Sequence, residues 1–123
     1  MPQHKRWELP GTLMELGADG ESVLVREIID VFLSDTQEKV DSLQKAVLDP
    51  DLAGAQRIAH SLKGAAKQLE ILQLAEDAER LESSSAEIDG GTLSLLVLTI
   101  VEGWREAKQS IIDPRESLSD RQV

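Results

Sequence analysis

Cysteine is absent from the 123-residue chain. That removes disulfides, thiolate nucleophiles and the common structural zinc sites, and it fits a reducing compartment. Aromatic residues are nearly missing as well, with Phe32, Trp7 and Trp104 the whole set. A core must then be built from Leu, Ile, Val and Ala, which suits helices. No long hydrophobic run exists: the longest, Leu93 to Val101, contains Ser94 and Thr99 and falls far short of the roughly 20 residues a membrane span needs. The segment Met1 to Trp7 is short and polar with no apolar stretch after it, unlike a secretory signal. Positive charge is scarce, with 13 Lys and Arg against 23 Asp and Glu and a formal net charge of −10. Such a balance repels nucleic-acid phosphates and acidic lipid. The expectation is a cytoplasmic protein with neither nucleic acid nor membrane as a partner.

What is there is enough for one folded domain. Apolar residues make up 41% of the chain and charged residues 29%, the balance of a globular protein, and the length is that of a single domain. Helical periodicity runs through four long stretches, and no strand alternation stands out. A short leader over Pro10 to Leu16 is bracketed by Pro10 and Gly17, and Gly17-Ala18-Asp19-Gly20 breaks it. From Glu21 to about Leu48, the apolar positions Leu24, Ile28, Val31, Phe32, Val40, Leu43 and Val47 predict one long amphipathic helix. Asp49 and Pro50 suit the cap and first position of the next helix, which runs to about Leu69 with Leu52, Ala55, Ala59, Leu62, Ala66 and Leu69 as its seam.

A third helix follows almost at once, with Ile71, Leu74, Ala78 and Leu81 inward and Glu76, Asp77, Glu79 and Glu82 largely outward. It forms an antiparallel hairpin with the second. Ser83 to Gly91 reads as a loop, and a fourth helix is predicted from about Thr92 to Ile112, before Pro114, with Leu93, Leu96, Val97, Ile100, Trp104 and Ile111 inward. Short connections make successive helices antiparallel neighbours. The expected fold is all-α: an up-down antiparallel four-helix bundle with a short N-terminal helix across one end. Residues 1–8 and 113–123 are expected to be flexible tails around one domain over 9–112. Met1 and the polar tails favour a free-standing module.

The chemistry is concentrated in Ala59-His60-Ser61-Leu62-Lys63-Gly64-Ala65-Ala66-Lys67. At about 100° per residue, His60, Lys63, Gly64 and Lys67 share a stripe turned roughly 120° from the apolar seam, so His60 is expected to face solvent. An exposed neutral imidazole is a competent nucleophile near neutral pH. Two lysines within a turn or two would stabilise the oxygens of a phosphoryl group carried on that ring. Gly64 sits in mid-helix, where glycine costs about 1 kcal/mol relative to alanine, and its place away from the seam suggests space for a partner's backbone. By spacing alone, a histidine with lysines nearby is more often a plain solvated face. His4 stays in that class, and Lys67 can equally be a solubilising charge.

The same residues carry a family resemblance. Ala59-His60-Ser61-Leu62-Lys63-Gly64-Ala65-Ala66 resembles the signature of histidine phosphotransfer (HPt) domains, in which a histidine, a hydrophobic residue, lysine and glycine take set helical positions. Leu13-Met14-Glu15-Leu16-Gly17 and Ile28-Ile29-Asp30-Val31-Phe32-Leu33 resemble the family's first two helices, and Leu74 through Leu81-Glu82 its helix after the histidine. The resemblance implies a phosphorelay intermediate, with His60 accepting a phosphoryl group from a receiver-domain aspartyl phosphate and yielding it to another receiver. Lys63 would stabilise the phosphoryl oxygens, and Gly64, with Lys67, would admit the receiver.

The same family implies no kinase or phosphatase activity in this chain and no bound cofactor, with Mg²⁺ on the partner receiver. Its partners would be response-regulator receiver domains or a hybrid histidine kinase, and the protein a monomer. One position departs from the pattern. Where the family commonly has glycine, ten residues after the histidine, this chain has Glu70, which puts the turn geometry in question. A histidine kinase is disfavoured because Ser61 follows His60 and no nucleotide-binding glycine loop is present. A di-metal carboxylate bundle is disfavoured because Arg57, three residues before His60, stands where such a site needs Glu, so no metal site is expected. The remaining alternative is a helical adaptor that binds signalling partners without phosphotransfer.

Overall fold

The computed structural model describes residues 7–121, with side chains over 7–112. Within them the chain is all-helical: α1 (Gly11–Leu16), a π-type turn (Gly17–Glu21), α2 (Ser22–Leu48), α3 (Leu52–Gln68), α4 (Leu72–Glu82) and α5 (Gly90–Arg121). No strand occurs among the described residues, and no helix there is long and apolar enough to cross a membrane.

The break expected at Gly17 to Gly20 is a widened helical turn with its kink at Gly20, whose φ of 93° is open to glycine at no steric penalty. This turn sets the rotation of α2. Its inward residues are Val25, Ile29, Phe32, Thr36, Val40, Leu43 and Ala46. Leu24 and Val31, read from the sequence as inward, are exposed, and Ile28 and Val47 are half-buried. Two apolar stripes one residue apart share the first half of α2, and periodicity alone does not choose between them.

The cap of α3 also differs from expectation. Asp49 and Pro50 form the turn itself, and Asp51 is the N-cap, its Oδ1 accepting from the Gly54 amide at 3.0 Å. A residue before proline is biased away from helical backbone, and Asp49 takes φ −122°, ψ 88°. The seam of α3 is as expected, with Ala55, Ala59, Leu62 and Ala66 buried.

The α3–α4 turn bears on Glu70. Its φ is 57°, so an ordinary residue holds the left-handed position. The Ile71 amide donates to the Ala66 carbonyl at 2.8 Å and the Glu70 amide to Lys67 at 3.1 Å. That pair of bonds is a Schellman motif, with buried Ala66 and Ile71 supplying its apolar contact. The turn keeps the geometry that glycine would favour.

Beyond α4, the chain re-enters helix at Gly90, two residues before Thr92, because Asp89 Oδ1 accepts from the Thr92 amide at 2.7 Å. That same bond holds the Asp89 carboxyl below its usual range. Helix α5 does not stop near Ile112: its backbone continues past Pro114 to Arg121. A proline removes one intrahelical hydrogen bond while its neighbours keep theirs, so it is a cost of about 3 kcal/mol and not an obligatory stop.

Leu43, Leu62, Leu74, Leu81, Ile100, Trp104 and Ile111 anchor one shared core. Trp104 meets Phe32 edge-on at 5.9 Å, and its Nε1 donates to Gln37 Oε1 at 3.0 Å, joining α5 to α2. Of the tails expected over 1–8 and 113–123, residues 1–6 and 122–123 lie outside the described residues. Trp7 is tied down, its Nε1 donating to the Leu69 carbonyl and its amide to Ser110 Oγ, both at 2.7 Å.

Candidate functional site

Helices α3 and α4 pack closely because small residues line their seam: Ala55, Ala59 and Ala66 on α3 and Ala75 and Ala78 on α4 are all buried. Close packing brings the polar edge of one helix over that of the other. Gln56 Nε2 donates to the Ser84 carbonyl at 2.9 Å, His60 meets Glu82, and Lys63 meets Glu79. His60–Glu82 and Lys63–Glu79 thus match successive turns of the two helices side chain to side chain, while Gln56 reaches the chain just past α4.

His60 stands outside this seam, its side chain 70% exposed. Its Nδ1 is engaged by Glu82 Oε2. Lys63 and His60 together hold the Glu82 carboxyl below its usual range, the lysine contributing more. A carboxylate can only accept, so Nδ1 carries the hydrogen and donates it. The lone pair of the neutral ring is then on Nε2.

Lys63 is drawn in more than expected, its side chain only 18% exposed. Its Nζ lies 3.0 Å from Glu79 Oε1 and 2.5 Å from Glu82 Oε1. Both carboxylates raise the Lys63 pKa, Glu82 most, so the ammonium stays charged. Gly64 is exposed, and a Cβ built there meets nothing within 4 Å. Packing within the bundle therefore does not require that glycine. Lys67 is exposed in the last turn of α3, where its charge complements the helix dipole.

Of the four site residues read from the sequence, His60 and Lys63 converge on one carboxylate. Gly64 flanks them as open surface, and Lys67 stands a turn further along. The residue that sequence reasoning missed is Glu82, treated there as an outward charge. Its side chain is 25% exposed and bridges His60 and Lys63. Paired spacings were the available signal: Glu79 and Glu82 are three apart, like Lys63 and His60 on the preceding helix of a tight hairpin.

The ensemble is an exposed nucleophilic nitrogen with an oriented ring, a fixed ammonium one turn away and unobstructed surface beside them. No cluster of potential metal ligands occurs among the described residues. Comparison with curated proteins and with solved structures gives no match. The Hpt domain family matches residues 27–107, well over half of the chain, from within α2 to within α5. Since that match encloses His60 and all of its partners, the chain belongs to the Hpt domain family, the histidine phosphotransfer domains of phosphorelay signalling.

Proposed function

We propose that His60 takes a phosphoryl group from the aspartyl phosphate of one receiver domain and passes it to the aspartate of another. The observation that carries this reading is the Glu82 contact to Nδ1, which leaves an exposed Nε2 with its lone pair free. In the forward step the Nε2 lone pair forms a bond to phosphorus while the phosphorus–oxygen bond to the aspartyl carboxyl breaks. The electron pair leaves with that carboxylate. The ring keeps its Nδ1 hydrogen and becomes cationic, and Glu82 offsets the new charge. Transfer onward reverses each of these changes.

Phosphoryl transfer depends chiefly on in-line positioning and charge stabilisation, and this chain supplies the nucleophile and, in Lys63, one cation. The receiver would supply the other half, including Mg²⁺, docking where Gly64 leaves room and Lys67 adds charge. The partners are accordingly response-regulator receivers or a hybrid histidine kinase. The chain acts as a monomeric carrier in the cytoplasm and binds no cofactor itself. Its four longer helices form an up-down antiparallel bundle with α1 laid across one end, the arrangement that short connections favour.

The test is incubation with a phosphorylated receiver domain. The wild type should acquire acid-labile, base-stable phosphate, and His60→Gln should acquire none. Absence of label on the wild type, or its persistence in the variant, would leave a helical adaptor as the reading.

A further inference from the structure

Lys63 is already paired with two carboxylates before any phosphoryl group arrives. Its Nζ has a carboxylate oxygen on two sides, Glu79 at 3.0 Å and Glu82 at 2.5 Å. The two carboxylates are not equivalent. Glu82 also holds the imidazole, so its charge is matched by the ring once the ring becomes cationic. Glu79 has Lys63 as its ion-pair partner and is 51% exposed, facing the solvent side of the site.

Charge counting shows what this means for the phosphorylated state. With His60 neutral, Lys63, Glu79 and Glu82 sum to −1. A phosphoryl group adds up to two negative charges, and the ring gains one positive. The phosphorylated site therefore carries about −2 around a single ammonium, two of whose three hydrogens are directed at Glu79 and Glu82, so phosphoryl oxygens share its charge with Glu79.

We propose that Glu79 sets the transfer potential of phospho-His60: by drawing Lys63 away from the phosphoryl oxygens and adding negative charge beside them, it biases the protein toward giving the group up. The inference rests on the relay reading of His60. It assigns Glu79 a positioning and electrostatic role, exerted through Lys63, with no change in the bonds made or broken. Glu79 lowers the occupancy of phospho-His60 relative to aspartyl phosphate on the receiver, and so favours passage onward over storage.

The experiment measures how phosphate partitions at equilibrium between His60 and a receiver domain in Mg²⁺, by counting acid-labile, base-stable label. Glu79→Gln removes the charge and keeps the size. At low salt the partition should move toward phospho-His60 by roughly three- to tenfold, the effect of one charge several ångströms away near a protein surface. At about 0.5 M salt the shift should shrink, because exposed charges are screened. Glu76→Gln is the control: Glu76 is exposed one turn earlier on α4, so the same net charge is lost without touching Lys63, and the partition should stay at the wild-type value. An unchanged partition in Glu79→Gln, a shift insensitive to salt, or an equal shift in Glu76→Gln overturns the role of Glu79. In each of those cases the wild type still carries phosphate on His60, and the relay reading stands. A wild type that takes no phosphate overturns both.

Discussion

One carboxylate oxygen of Glu82 accepts the Nδ1 hydrogen of His60, reaching from α4 to α3. The other oxygen lies 2.5 Å from Lys63 Nζ, so a single side chain fixes the ring and places the cation. Glu82→Ala removes both supports at once. Transfer from a phosphorylated receiver to His60 should slow by roughly 10- to 100-fold, the size of loss seen when the group orienting a metal-ligating histidine is removed. Glu82→Gln keeps an acceptor for Nδ1 and should lose less. Initial rates of label transfer decide it, and equal rates in all three proteins would mean that the ring needs no orienting partner.

Two helix glycines should respond in opposite ways to the same change. At Gly64 a Cβ meets nothing, so Gly64→Ala should raise stability by about 1 kcal/mol, the helix-propensity difference. At Gly103 a Cβ would lie 3.2 Å from Asp77 Oδ2, a buried carboxylate with little room to give. Gly103→Ala should forfeit that gain or reverse it. Urea denaturation midpoints of the two variants check the contrast. Gly64→Gln adds bulk on the open surface and should slow transfer while keeping helix stability, and an unchanged transfer rate would remove the docking account of this glycine.

The sequence made His60 and Gly64 legible because exposure on a helix follows from angular position alone. The seam of α3 was legible for the same reason. Glu82 was not, because its role depends on which turn of α4 lies across from which turn of α3, a relation set by packing. Leu24 and Val31 misled because α2 carries two adjacent apolar stripes, and the turn at Gly17–Glu21 decides which one faces in. The start at Leu52 was misplaced because Asp49 and Asp51 both stand at the boundary and only the Gly54 amide bond distinguishes the cap, and that at Gly90 because Gly90 and Gly91 read as loop although Asp89 caps the helix ahead of them.

Glu70 shows where a sequence departure left the geometry intact. It sits at φ 57° in the Schellman turn, where glycine would be unstrained and a residue with a Cβ pays roughly 1 kcal/mol. Glu70→Gly should therefore stabilise the protein by up to about 1 kcal/mol, part of the gain being lost to the greater freedom of glycine in the unfolded chain. A β-branched residue there should do the reverse, so Glu70→Val should fall below the wild type. Thermal midpoints would order the three proteins, and a Glu70→Gly variant less stable than the wild type would mean that the glutamate side chain adds something the backbone argument omits.

Asp77 gives the pH dependence of the fold. It is buried between α4 and α5 beside Gly103, and burial raises its pKa, with Gln73 and Arg80 opposing and Glu76 adding to the rise. A folded-state pKa above the unfolded one means that the folded protein holds the proton more tightly. Asp77 therefore adds stability as pH falls through its folded value, in full only below the ordinary carboxylate range, and subtracts stability at neutral pH. Asp77→Asn keeps the shape and removes the titration. The variant should show the higher urea midpoint at pH 7, and its advantage over the wild type should shrink steadily toward pH 4. Protonation of carboxylates that do not interact with Asp77, Glu82 among them, acts on both proteins alike and cancels in the difference. An advantage independent of pH would point to packing and not to charge, and a variant less stable at pH 7 would show that the Arg80 pair outweighs the burial of Asp77.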